Sequence, residues 1–224
     1  MRLVVAAIRR AETRAGRPPG SVRLVAVTKS VPVERMQEGI GAGLSLIGEN
    51  RLQEAQAKMA ALASSPVRWH FIGHLQRRKV RSVIGRFELI HSVDSVELAE
   101  EIDRRAVDAG LCQDILLEVN IGEEPTKSGF HPDALIGVIP ELPRLPHVRI
   151  RGLMAIPPPA ADAESARPYF RRLRELARHI GQRQLPSVGM AELSMGMSND
   201  YEVAIEEGAT LVRIGTALFG IRPV

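Results

Sequence analysis

The chain is short of several things, and each shortage excludes something. It holds one cysteine, Cys112, in 224 residues. That excludes an internal disulfide framework and any CxxC metal or redox site. No apolar run approaches the roughly 18 residues of a membrane span. The N-terminal apolar stretch, Leu3 to Ile8, runs into Arg9, Arg10 and Glu12 with no small-residue cleavage site, which argues against a signal peptide. A reducing, cytoplasmic setting is the expectation. No Gly/Ser or proline-rich linker divides the chain, and no segment is low in complexity. Lysine is scarce as well. Thirty residues are basic, but only Lys29, Lys58, Lys79 and Lys127 are lysines. A surface charged with arginine makes each lysine worth a question.

What is present fits a folded domain. The sequence is 45% hydrophobic and 25% charged, enough for a sizeable core. A length of 224 residues suits one domain or two small ones, and with no linker a single domain, residues 1–224, is expected. Short β-branched apolar runs alternate with polar, helix-forming stretches. Eight strands are predicted, at 22–27, 44–47, 68–72, 88–91, 114–119, 148–153, 192–195 and 210–214. Helices are predicted to begin near Pro32, Arg51, Gln76, Ser95, His131, Asp162 and Asn199, and a first helix, Arg2 to Ala15, precedes strand one. Asp94 or Ser95 can cap the fourth of these seven, whose apolar face is Leu98, Ile102 and Ala106 and whose end is Gly110. Such alternation means a parallel sheet with right-handed crossovers. Eight units fit an α/β fold of the (β/α)8 TIM-barrel type with an extra N-terminal helix. The rival, an open doubly wound sheet, usually has fewer strands and carries a GxGxxG fingerprint that is missing here.

Barrel chemistry sits at the C-terminal ends of the strands. Lys29 ends strand one. An ammonium there, on a stem rising from an apolar strand, is expected to be partly desolvated, which favours the neutral, nucleophilic amine. A lysine snorkelling into solvent is the plainer reading. Ser194-Met195-Gly196-Met197-Ser198 spans the end of strand seven, and Arg213-Ile214-Gly215-Thr216 closes strand eight. Loops after strands seven and eight commonly bind phosphate. Gly196 and Gly215 let the backbone approach an anion, and Ser198 and Thr216 offer hydroxyls. Ser198 also stands where an N-cap serine is ordinary; Glu49 and Asn50, at the end of strand two, are candidate rim residues, Asn50 with the same plain capping reading. Together, a Schiff-base lysine and a phosphate cup suggest a pyridoxal 5′-phosphate (PLP) site.

The stretches Ala26-Val27-Thr28-Lys29, Ile47-Gly48-Glu49-Asn50, His70 to Gln76, Lys127-Ser128-Gly129, Arg151 to Met154, Leu193 to Ser198 and Val212 to Gly220 resemble the PLP-homeostasis proteins. These are single-domain relatives of the alanine racemase barrel, and the resemblance runs in order along nearly the whole chain. It implies that PLP is held by Lys29 as a Schiff base. It further implies that Ser198, Gly215 and Thr216 bind the phosphate and that Arg213 faces the pyridine nitrogen, with Asn50 at the rim. Family members are described as binding and buffering PLP, and delivering it to PLP-dependent apoenzymes, without established catalysis. Two departures stand out. Arg78 occupies a position where an Asn is common, and Val31 replaces a frequent second lysine. Lys127 matches the KSG segment and is read equally as a neighbour of the site, a second transfer-related site, or a solvated loop lysine.

The alternative is a PLP-dependent amino-acid racemase. That reaction needs a second acid/base, supplied in the related racemases by a Tyr from a C-terminal β-domain. The sequence ends at Val224, so no such domain is expected, and Tyr169 and Tyr201 are both predicted on helices. A third reading, nucleic-acid binding by Arg167, Arg171, Arg172, Arg174 and Arg178, is weaker than a solvated helix face, since Glu164 and Glu175 interleave and no RNA motif accompanies them. His70 and His74 lack a third ligand, so no metal is expected. No nucleic-acid or membrane partner is expected, and the chain is read as a monomer.

Overall fold

The computed structural model describes residues 1–220, and in it the alternating segments form a closed barrel. The parallel strands are β1 (Arg23–Val27), β2 (Leu46–Glu49), β3 (Arg68–Phe71), β4 (Leu89–Val93), β5 (Gln113–Val119), β6 (Val148–Ala155), β7 (Val188–Ser194) and β8 (Leu211–Ile214), each bonded to the next, with β8 returning to β1. The helices are α1 (Arg2–Arg14), α2 (Val33–Gly41), α3 (Leu52–Ala61), α4 (Val96–Ala109), α5 (Pro132–Val138), α6 (Arg167–Gly181), α7 (Tyr201–Glu206) and α8 (Thr216–Phe219). The expected barrel and its extra N-terminal helix are both present. The last four residues of the expected 1–224 domain lie outside the described residues.

Strand side chains alternate between two cores. Val25, Leu46, Leu89, Leu116, Met154 and Leu211 meet inside the barrel as a dry layer. The larger cluster, including Ile90, Ile115, Leu117, Leu153 and Val212, packs outward against helix residues such as Ile102 and Phe170. The fourth helix after the strands behaves as its sequence dictates. Ser95 caps α4 by accepting from Leu98 N–H at 3.3 Å, Leu98, Ile102 and Ala106 are buried, and Gly110 ends it at φ +64°.

Boundaries differ where turn chemistry overrides apolar runs. Leu44 does not start β2. Gly43, at φ +101°, terminates α2, and the amides of Gly43 and Leu44 return to Ile40 O and Gly39 O, so Leu44 folds back on the helix end. The strand therefore begins at Leu46 and carries Glu49 within it. The helix expected near Gln76 is a 3-10 segment, Arg77–Ser82. Val80 within it and Val83 just after it are buried three residues apart, the period of that tighter helix.

The arginine-rich helix α6 is docked through its charges. Arg167, Arg171 and Arg174 converge on the buried Glu207 at 3.2, 3.1 and 3.0 Å, and Arg167 also reaches Glu206 at 2.7 Å. Arg14 of α1 binds Glu202 and Glu206, each at 2.8 Å. Much of the basic patch is thus paired within an ionic seam joining α1, α6 and α7.

Candidate cofactor site

A cavity of about 890 Å³ opens at the C-terminal mouth of the barrel. Asn50, Ser198, Arg213, Gly215 and Thr216 all line it, beside Val27, Ile72 and the loop Ile156 to Ala163. Five of the six residues expected at the site therefore share one wall. Lys29 lies two residues beyond Val27, where the inward series Val25, Val27 continues past the end of β1. It is exposed, outside the cavity wall, so the desolvation expected for it is not found. The apolar stem ends at Val27, and it is Thr28, not Lys29, that is buried.

The floor of the cavity is polar and buried. Arg213 is buried, donating from Nη1 to Ser194 Oγ at 2.6 Å and from Nη2 to Ala155 O at 3.0 Å. Ser194 Oγ also meets His91 Nδ1 at 2.9 Å, and His91 Nε2 meets His70 Nδ1 at 2.8 Å. Burial pulls His70 down to about 3 and His91 well below the usual histidine range, so both rings are neutral. Burial also lowers Arg213 to about 10, opposed by Glu118 and Asp200, which leaves it cationic at neutral pH. Those two carboxyls are pushed up by their own burial. A guanidinium only donates hydrogen bonds, so a ring nitrogen facing Arg213 must be an unprotonated acceptor.

The opposite end of the same wall brings a glycine turn beside the hydroxyls of Ser198 and Thr216. Gly196 sits at φ +91°, and a Cβ there would lie 2.5 Å from Ala204 Cβ. Its carbonyl accepts from Arg213 N–H at 2.9 Å and joins the ends of β7 and β8. Ser198 is not a helix cap. Asp200 holds that position before α7, and Ser198 Oγ instead accepts from Ala217 N–H at 3.2 Å, across to the loop after β8. Asp200 Oδ1 accepts from Met197 N–H at 2.6 Å. Asn50 is not a cap either. Arg51 precedes α3, while Asn50 Oδ1 is buried beside the cavity with no hydrogen-bond partner among the described residues. The close approach of Gly73, where a Cβ would lie 2.1 Å from Asn50 O, presses the β3 exit onto this residue. Two hydroxyls, a glycine turn, a buried cation and an unspent amide oxygen suit a phosphorylated heteroaromatic ring, and the volume lies in the usual range for such a ligand.

Glu49, read in the sequence as a rim residue, is instead fully buried, and the roles of His91, Ser194, Glu54 and Lys58 went unassigned. His91 and Ser194 complete the floor, and the signal for them was a polar side chain inside an otherwise apolar strand. Glu49, Glu54 and Lys58 form a buried ionic cluster behind Thr28, with Lys58 Nζ 2.8 Å from Glu49 and 2.6 Å from Glu54. Burial pushes the Glu49 carboxyl up against its bonds from Lys58 and Thr28. Partial burial raises Glu54 too, but bonds from Lys58 and Ser30 outweigh it and hold the carboxyl below its ordinary range.

Other candidates scatter. His70 is buried, while His74 is exposed beside Asp94 at 3.4 Å, so the two do not converge. Among the described residues no group of three metal-ligating side chains occurs. Lys127 lines the cavity and pairs with Glu124 at 2.5 Å. Arg78 is exposed and, among the described residues, donates to Gln76 Oε1 at 3.1 Å, and Val31 is buried. No helix among the described residues is long and apolar enough to cross a membrane.

Comparison with known proteins gives the same address. The family model for the alanine racemase N-terminal domain matches residues 4–223. A pyridoxal phosphate homeostasis protein of Aquifex aeolicus is 48% identical over 219 residues, covering 98% of this chain and 95% of the relative. One from Pseudomonas aeruginosa is 46% identical over 220 residues, covering 98% and 93%. The structure of PipY from Synechococcus elongatus, solved with PLP bound, superposes with a TM-score of 0.84 at 42% identity, covering 96% of this chain and 99% of that one. The chain belongs to the alanine racemase N-terminal domain family, alongside its pyridoxal phosphate homeostasis members.

Proposed function

We propose that this protein binds PLP and takes part in PLP homeostasis, holding the cofactor at the barrel mouth and buffering or delivering it rather than turning over a substrate of its own. The observation that carries this reading is the shared wall: Arg213, Ser198, Gly215 and Thr216 face one cavity together with Val27, two residues before Lys29. The relatives named for PLP homeostasis, and PipY solved with PLP bound, support it.

When bound, the cofactor supplies an aldehyde that condenses with a primary amine, releasing water. Lys29 supplies that amine at the rim. Ser198 and Thr216 offer hydroxyls to the phosphate, and Gly215 gives it room. Arg213, fixed by Ser194 and Ala155 O, presents a cation to the ring nitrogen. That partner leaves the ring a weaker electron sink than a carboxylate partner would, which suits holding over turnover. The racemase alternative needs a second acid/base. Tyr169 and Tyr201 lie on α6 and α7, outside the cavity wall. We further propose a single-domain cytoplasmic monomer with PLP-dependent apoenzymes as recipients.

Peptide mapping after borohydride reduction of the PLP-loaded protein tests the reading. A pyridoxyl adduct on Lys29, with a yellow colour lost on reduction and missing in Lys29→Ala, is the expected result. A protein that takes up no PLP overturns it. Exchange of an amino acid's α-proton in deuterated water, lost in Lys29→Ala, favours the racemase reading.

A further inference from the structure

We propose that Lys58, Glu49 and Glu54 form the positioning device of the cofactor lysine: by fixing the backbone on both sides of Lys29 they set how firmly the cofactor aldehyde is held. The inference rests on the reading of Lys29 given above and adds residues to it.

Lys58 is the one buried lysine of the four. Lysine is seldom buried unless paired, and its ammonium has three hydrogens to place. All three have acceptors: Thr28 O at 2.6 Å, Glu49 Oε1 at 2.8 Å and Glu54 Oε1 at 2.6 Å. The carboxylates then reach the same loop. Glu49 Oε1 accepts from the Thr28 hydroxyl, and Glu54 Oε1 accepts from Ser30 N–H at 2.5 Å. So the residue before Lys29 is held through its carbonyl and its hydroxyl, and the residue after it through its amide.

Ser30 shows that the hold is needed. Its φ is +58°, a left-handed conformation that a side-chain-bearing residue keeps only where its surroundings over-determine it. The Glu54 bond and the turn closed by Val31 N–H on Thr28 O, at 2.9 Å, supply that determination. A well-packed apolar cluster would commonly stabilise the fold as well as a buried ionic triad does. What the triad adds is direction: three polar bonds fix the orientation of the two peptides that flank Lys29, while the Lys29 side chain itself stays exposed at the rim.

Glu54→Ala tests this with two ligands, PLP and pyridoxine 5′-phosphate. The second has the same ring and phosphate but an alcohol in place of the aldehyde, so it fills the cavity without bonding to Lys29. In Glu54→Ala the affinity for PLP should fall about tenfold, the scale of one lost charge-assisted hydrogen bond. The affinity for pyridoxine 5′-phosphate should stay within about twofold, inside the scatter of independent sites. Glu54→Gln, whose amide oxygen still accepts from Ser30 N–H, should restore most of the PLP affinity. In a Lys29→Ala background Glu54→Ala should have no effect on PLP. Parallel weakening of both ligands, or no change in either, overturns the proposal. A wild-type protein that gives no borohydride-trapped adduct on Lys29 overturns instead the reading beneath it.

Discussion

Arg213 and Ser194 are joined inside the barrel by a 2.6 Å bond from the Arg213 Nη1 to the Ser194 Oγ, and that hydroxyl is also the contact of His91 Nδ1. One small side chain therefore satisfies two buried polar groups from β4 and β8. Ser194→Ala leaves both without that partner. Each unsatisfied buried group costs about 1–3 kcal/mol, so the urea midpoint should drop sharply. PLP retention should fall further than in a surface control, because Arg213 loses the contact that aims it. Wild-type stability in Ser194→Ala would mean the floor tolerates an open hydroxyl position, contrary to this account.

Acid should destabilise the protein through the paired histidines. In the unfolded chain a histidine takes up its proton near pH 6.5. In the barrel burial holds His70 neutral down to about 3, with Arg23 and Arg68 adding to the effect, and His91 is lowered by burial, His70 and Arg213. Below pH 6.5 the unfolded state thus binds more protons, and stability falls as pH falls; above it both states are neutral and the pair contributes no slope. Each histidine contributes at most about 1.4 kcal/mol per pH unit over that window. Urea titrations from pH 7 to 4.5 should show a shallower acid limb for His70→Gln than for wild type. Parallel limbs would rule out the buried histidine as its source.

The architecture was legible in the sequence because it depends on apolar periodicity and on glycine, which act locally. Gly110 and the Leu98, Ile102, Ala106 row announce α4 without any tertiary information. That Ser198, Gly215 and Thr216 share a wall was legible for the same reason, being written in two contiguous segments. The ionic cluster behind Lys29 was not. Glu49, Glu54 and Lys58 sit on β2 and α3 and meet Thr28 and Ser30 only once the barrel closes. The sequence left two readings of Lys29 open, desolvated or snorkelling, since an apolar strand says nothing about where its last side chain finds room, and the exposed one is found. Ser198 and Asn50 drew capping expectations from sequence position alone, and their real environments come from a loop after β8 and from the exit of β3.

The seam around Glu207 explains why a basic protein need not be a polyanion binder. Glu207 is buried and faces Arg167, Arg171 and Arg174, two of which are about half exposed. Glu207→Gln removes the shared counter-charge. Solvent screens those outer arginines, so the loss should be about 1–2 kcal/mol, between a surface pair and a buried one. It should also raise salt-dependent retention on heparin or nucleic acid, because Arg171 and Arg174 lose their counter-charge while Arg167 stays paired with Glu206. Unchanged retention in Glu207→Gln would show that pairing is not what masks the patch.

The phosphate cup yields the sharpest ligand prediction. Ser198 Oγ already accepts from Ala217 N–H, so its hydroxyl hydrogen remains to donate to an anion, and Thr216 offers a second hydroxyl from the exposed start of α8. A hydrogen bond to a charged group contributes about 1.5–3 kcal/mol. Ser198→Ala and Thr216→Ala should therefore each weaken PLP binding roughly 10- to 150-fold. Because the loss lies in the phosphate and not in the link to Lys29, both variants should weaken pyridoxine 5′-phosphate by the same factor, and neither should weaken pyridoxal, which has no phosphate. Equilibrium dialysis with the three ligands checks this. A double variant with wild-type affinity for both phosphorylated ligands would put the phosphate elsewhere on the cavity wall.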